Sequence, residues 1–309
     1  MEVMRKLDVF DIVSFPVILV IFLLFAGMLF VFFKNALPAL EHFGIDLYIK
    51  NIWQAASVPQ KEVYGIAAAL WGSFYTSLIA ILISLPISAA FSVFIVDYAP
   101  RGLKNTLAIL SDVMAGLPTI IYGIWGAFIL VPFLRHWVME PLYRYFSFIP
   151  FIHYPPVGGY SYFSAGVLLA IMITPFVSAI IREAYQMIPF TYREAAYAVG
   201  ATKFEATRIL LGYIKPAMVS GIILGFGRAV GETIAVSLVI GNTFNLTYKL
   251  FAPGYTISSL IANQFGNAFL YTYMTSTLFA AGLALFAIGL TVNIIGIHML
   301  RRWEKNVQV

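Results

Sequence analysis

Polar positions in this chain fall mainly in breaks between long apolar runs, and those runs set the architecture. Six of them lie at about 12–33, 70–96, 107–133, 163–181, 217–241 and 276–300. Each is close to the ~20 residues that a helix needs to cross a hydrocarbon core. The pattern predicts an all-α membrane protein with six transmembrane helices. The first run is too long for a signal-peptide core and follows Asp8 and Asp11, so it reads as a retained signal-anchor helix. Outer loops are expected at 35–69, 134–162 and 242–275, and inner loops at 97–106 and 182–215.

Composition sharpens this picture. Charged residues make up 11% of the chain against about 25% in soluble domains, which excludes a soluble fold. The net charge of +5 follows the membrane and does not call for nucleic acid. Twelve basic residues fall on one side: Arg5, Lys6, Arg101, Lys104, Arg182, Arg193, Lys203, Arg208, Lys215, Arg301, Arg302 and Lys305. Six lie in the longer loops of the other side, so both termini are expected to be cytoplasmic in a multi-pass plasma-membrane protein. With no cysteine, disulfides, thiol catalysis and thiolate metal sites are excluded. His42, His136, His153 and His298 have no ligand spacing and read as interfacial polar residues, not metal ligands. No cofactor is expected.

One charged pair interrupts the fifth run. Arg228 and Glu232 stand in Gly225-Phe-Gly-Arg-Ala-Val-Gly-Glu-Thr233, where a charge costs roughly 2.5–3.5 kcal/mol on insertion scales. Their spacing predicts a shared helix face within mutual reach. On a rise of 1.5 Å per residue, Arg228 lies ~16 Å from the cytoplasmic start, about the midplane of the membrane. Two readings stay open: an intrahelical pair that locks the bundle, or a positive point on an anion path, since guanidinium donors suit tetrahedral oxyanions. The Gly221-x3-Gly225 and Gly227-x3-Gly231 spacings read as close helix packing. In the third run, Pro118 cannot donate a backbone hydrogen bond, and Gly116 and Gly123 flank it. A simple bend and a gate are both compatible with that kink.

The inner loop 182–215 is longer and more structured than a connector. Thr191-Tyr-Arg-Glu194 and Thr202-Lys-Phe-Glu205 each have the form of a capping box, and Gly200 suits a left-handed helix stop between them. A helix, a glycine turn and a second helix are predicted on the cytoplasmic face. The outer loop at 134–162 is rich in aromatics, including Trp137, Tyr143, Tyr145 and Phe148. It reads either as a headgroup belt or as a platform for an external partner. The chain contains no Gly-x4-Gly-Lys-Ser/Thr phosphate loop, no His-Glu-x2-His and no Gly-x-Ser-x-Gly. Asp112 has no second intramembrane aspartate beside it, so an aspartyl protease is excluded. A non-catalytic permeation scaffold remains.

Specific stretches carry a family resemblance. Glu194-Ala-Ala-Tyr-Ala-Val-Gly200 resembles the EAA loop of type I ABC importer permeases. Leu117-Pro-Thr-Ile-Ile-Tyr-Gly123, the run 225–242 and Ile257-Ser-Ser-Leu-Ile-Ala-Asn-Gln-Phe-Gly266 are similar to the permeases of the phosphate-specific (Pst) importer. They are closer to its PstC type than to its PstA type. The resemblance covers about 70–300, and its one departure is that the proline after the EAA glycine stands at Pro216. It implies the type I permease fold, with a signal-anchor helix and outer loop over 1–69 and a permease core over 70–301. It implies that Glu194, Ala195, Ala196 and Gly200 couple to an ABC ATPase dimer. Further implied partners are a PstA-type permease, an external phosphate-binding protein and inorganic phosphate. Arg228 and Glu232 would then line the path, with Gly116, Pro118 and Gly123 at a kink or gate. Rival readings are a permease for phosphonate, molybdate or sulfate, and an anion transporter that needs no ATPase.

Overall fold

The computed structural model describes residues 9–307. Arg5, Lys6 and Asp8, which enter the orientation and anchor readings, lie outside them, as do the extreme termini. The chain is built from helices: α1 (Val9–Phe43), α2 (Ala67–Val93), α3 (Arg101–Gly116), α4 (Thr119–Phe146), α5 (Tyr162–Gln186), α6 (Phe190–Ala198), α7 (Lys203–Tyr213), α8 (Lys215–Gly231), the single turn α9 (Ile234–Ser237), α10 (Ile257–Ala268) and α11 (Met274–Val307). The first outer loop adds a hairpin of β1 (Trp53–Gln54) and β2 (Val63–Tyr64). Among the described residues, α1, α2, α4, α5 and α11 are long and apolar enough to cross a membrane. A sixth crossing is available from α7 and α8, which meet at a 64° bend.

Two predicted spans are corrected. The run 107–133 is not one helix: α3 ends at Gly116, and Leu117 and Pro118 are extended, with ψ of 140° and 131°. Pro118 lacks the amide that would continue the ladder, and its ring pushes the preceding residue out of the helical region. The crossing instead runs through α4, so Trp137, Tyr143, Tyr145 and Phe146 sit on a helix and not in a loop. The run 217–241 also stops early, because Glu232 is extended after Gly231 and only one further helical turn follows. In the other direction, α1 continues ten residues past its predicted end, to Phe43, with Ala36 and Ala39 fully buried.

Packing in this bundle uses small and hydroxyl residues, as expected where lipid offers no hydrophobic drive between helices. On α2, Ser73, Ser77, Ser84, Ser88 and Ser92 are all buried. Ser88 donates to the Thr174 carbonyl (3.1 Å) and Ser92 to the Ser178 carbonyl (2.8 Å), stitching α2 to α5. Gly221 and Gly225 of α8 lie against Ile180 and Val177 of α5, and a β-carbon at Gly225 would come within 2.7 Å of Val177. α1 packs along α11 through Phe32–Phe279 and Phe25–Phe286 ring contacts at 5.2 and 5.5 Å.

Candidate functional site

Arg228 lies in the last turn of α8, where a cation is favoured by the helix dipole. Its Nη2 donates a long hydrogen bond (3.4 Å) to the Ala115 carbonyl, in the last turn of α3. Its guanidinium sits 5.5 Å from the centre of the Phe176 ring on α5. The rest of the side chain is exposed on the surface of this single chain. Tyr122 of α4 donates to the neighbouring Met114 carbonyl (2.9 Å), so the broken end of α3 is held from two sides.

The expected pairing of Arg228 with Glu232 is not formed. None of the ion pairs among the described residues involves either side chain. The shared-face reading assumed a continuous helix, and Glu232 has left it: with ψ of 132° its side chain turns back to accept from the Thr233 amide (3.2 Å). Its own carbonyl accepts from Ser258 Oγ (2.6 Å), at the start of α10. Ser258 and Asn293, whose amide lies against Gly227, are polar groups at this site that pattern reading missed. Only the bundle brings them near α8.

Gly116 meets open space, whereas a β-carbon on Gly123 would clash with Ala235 of α9 and Leu238, so Gly123 is a point of close approach. Gly116, Pro118 and Gly123 thus frame the joint between α3 and α4, on the side where Arg228 reaches α3. A cavity of about 520 Å³ lies nearby between α2, α3 and α5. Its lining, which includes Ile87, Leu110, Met114 and Ile171, carries no charged residue, so it is unsuited to an oxyanion.

The second part of the site is the inner module. Pro189 starts α6 two residues ahead of Thr191, so the predicted Thr191–Glu194 capping box is absent and Thr191 is already helical. The Thr202–Glu205 box is present, with Thr202 N donating to Glu205 (2.8 Å) and Glu205 N to the Thr202 hydroxyl (3.3 Å). Those amide and hydroxyl donors hold the Glu205 carboxyl below its ordinary range. Gly200 has φ of +81°, and the amides of Gly200 and Ala201 bond to the Tyr197 and Ala196 carbonyls, completing a Schellman stop. Glu194, Ala195 and Gly200 are exposed, while Ala196 is buried. Around them Phe190, Tyr197, Val199 and Phe204 are also exposed, an apolar patch on a polar module of the kind that marks a protein interface.

Asp97, in the π-helical turn that ends α2, anchors this module. Its carboxylate accepts from Tyr185 and Arg193, and its carbonyl accepts from Lys203 Nζ (2.7 Å). Lys203 also lies 4.1 Å from the centre of the Tyr98 ring. Arg182 pairs with Asp112 at 3.2 Å, tying α5 to α3.

With this geometry in place, comparison with known proteins becomes specific. The family described as the binding-protein-dependent transport system inner membrane component matches residues 94–305. The probable phosphate transport system permease protein PstC of Methanocaldococcus jannaschii is 64% identical over 306 residues, covering 99% of this chain and 97% of the relative. The phosphate transport system permease protein PstC of Mesorhizobium japonicum is 36% identical over 288 residues, covering 92% and 86%. Among solved structures, the inward-facing MetNI methionine ABC transporter matches with a TM-score of 0.51 at 19% identity. That match covers 77% of this chain and 94% of the other, a likeness of fold. The chain is a multi-pass membrane protein of type I ABC importer permease fold; it belongs to the binding-protein-dependent transport system inner membrane components and, within them, to the PstC-type permeases.

Proposed function

We propose that this chain is the PstC-type permease subunit of an ATP-driven phosphate importer, supplying half of the translocation path and one docking site for an ATPase. The relative that is 64% identical carries the phosphate reading. On that reading the chain is non-catalytic and lies in the plasma membrane with both termini in the cytoplasm. Its partners are a PstA-type permease, two ATPase copies and an external phosphate-binding protein. Residues 1–69 form an anchor and first outer loop, and 70–301 the permease core.

Arg228 is the path residue. It projects from the end of α8 with no ion pair among the described residues, leaving guanidinium donors beyond the Ala115 bond for an oxyanion. Glu232 acts at the break in α8, where its carbonyl holds α10. The 194–200 segment seats in the ATPase through the apolar patch and the exposed Glu194. ATP-driven closure displaces that segment, and the path opens first outward and then inward around Arg228.

Uptake of labelled phosphate by the whole complex in vesicles tests the path role. Arg228→Ala is expected to lower uptake about tenfold or more while the complex still assembles, the effect of losing a charge-assisted hydrogen bond. Unchanged uptake in an assembled complex would remove Arg228 from the path. Competition by phosphonate, molybdate or sulfate, with none by phosphate, would reassign the cargo.

A further inference from the structure

We propose that α2 is the rod that carries displacement of the inner module to the outer side of the path, gripped by Asp97 at one end and by Trp71 and Tyr75 at the other. The proposal rests on the reading that an ATPase docks at 194–200.

The inner grip joins four elements at two residues. Asp97 and Tyr98 receive Arg193 from α6, Lys203 from α7 and Tyr185 from α5. The Asp97 side chain is 10% exposed, so its pairing with Arg193 is shielded from solvent. α6 and α7 therefore cannot shift without moving the end of α2 or breaking charge-assisted bonds.

The outer grip lies 22–26 residues back along the same helix, about 33–39 Å on a 1.5 Å rise. There Trp71 Nε1 donates to the Thr247 carbonyl (2.8 Å) and Tyr75 Oη to the Tyr248 carbonyl (2.6 Å). Ser73 Oγ accepts from the Ile257 amide (2.9 Å), at the start of α10. The segment 242–256 has little regular structure of its own and is held by these α2 bonds together with bonds from Tyr162 and Phe163 at the start of α5 to Asn245, Leu250 and Ala252. From α10 the chain of contacts continues through Ser258 to the Glu232 carbonyl, four residues from Arg228. Between the two grips, Pro86 interrupts the ladder of α2, and on its Asp97 side Ser88 and Ser92 fasten the helix to α5.

The chain has no cysteine, so Leu246→Cys gives a single labelling position in an exposed part of the outer segment. The whole complex carrying this change is purified, labelled with an environment-sensitive fluorophore and reconstituted, and the complex with Leu246 intact is labelled in parallel as background. Addition of ATP is expected to shift the emission of the label. Adding Asp97→Asn should remove most of that shift and lower the phosphate moved per ATP hydrolysed several-fold, whereas Asp97→Glu should recover much of both. Trp71→Phe combined with Tyr75→Phe, which removes both side-chain donors of the outer grip and leaves Asp97 untouched, should weaken the shift and the ratio in the same way. It decides the matter if the Asp97→Asn complex does not assemble. A full shift and an unchanged ratio in assembled Asp97→Asn complexes, or in assembled complexes carrying both Trp71→Phe and Tyr75→Phe, would overturn the rod. If the unaltered chain co-purifies with no ATPase, the docking reading itself falls, and the rod falls with it.

Discussion

A guanidinium in the last turn of α8 meets the negative end of that helix's own dipole, and its reach to the Ala115 carbonyl brings it to the end of α3 as well. Two helix termini, each worth roughly −0.5 of a charge, thus do the neutralising that a carboxylate was expected to do. Glu232 is then not a counter-ion, and its replacement should be mild. Glu232→Gln keeps an oxygen for the Thr233 amide and leaves the carbonyl that Ser258 uses. We expect thermal unfolding of the purified chain to change by no more than about 0.5 kcal/mol, in the range of substitutions that break no buried contact. A large loss would show that the carboxylate carries structure after all. Arg228 itself was legible because a lone charge in a long apolar run is expensive wherever it sits. Its partner was not, because the four-residue rule presumes an unbroken helix, and nothing in the spacing announces that Glu232 becomes extended.

Among the elements, the inner module separates what short-range signals can carry from what they cannot. The Thr202–Glu205 box and the Gly200 stop need only their own few residues, and both formed as read. Thr191–Glu194 had the same letters, yet Pro189 took the cap position first. The grip at Asp97 was invisible because Arg193 lies 96 residues away. Thr202→Ala should lower stability by about 1 kcal/mol, as loss of a cap does, and thermal melts of the purified chain would register it. The companion carboxyl adds a pH dependence. The folded value of Glu205 is depressed, so its contribution is present above the unfolded carboxyl value and is lost as pH falls through the folded one. The Thr202→Ala difference should therefore shrink on acidification below about pH 4, where the unfolded carboxyl titrates. A difference that stays constant to low pH would assign the cap's effect to the hydroxyl alone.

Across the whole molecule, a buried carboxylate ties together segments far apart in the chain. Glu62 is 2% exposed and accepts from the Tyr64 hydroxyl and from the Thr272 and Tyr273 amides, joining the first outer loop to the turn between α10 and α11. Burial, and then the carboxylate beside it, push the Tyr64 hydroxyl well above its ordinary range, so it remains a donor at any working pH. His42 stacks on Tyr273 at 4.3 Å over the same junction. Glu62→Ala strands three donors at about 1–3 kcal/mol each, so it should be the most destabilising of these substitutions. Glu62→Gln, which retains one acceptor oxygen, should cost less. Equal melting temperatures for the two would show that the junction is held by the aromatic stack instead.

The exposure of Arg228 also bears on how many copies of this chain a cell can keep. On the proposed pairing with a second permease, an unassembled chain leaves this guanidinium, which the two helix termini offset in part, without its cover, at a penalty of up to roughly 2.5–3.5 kcal/mol that the pairing would relieve. Chains made in excess of that permease would then open more readily and be degraded first, so subunit stoichiometry would be set by turnover as well as by synthesis. A pulse-chase of the chain expressed without its partner should give a shortened half-life, lengthened again by Arg228→Leu. A lifetime indifferent to that substitution would place the degradation signal elsewhere.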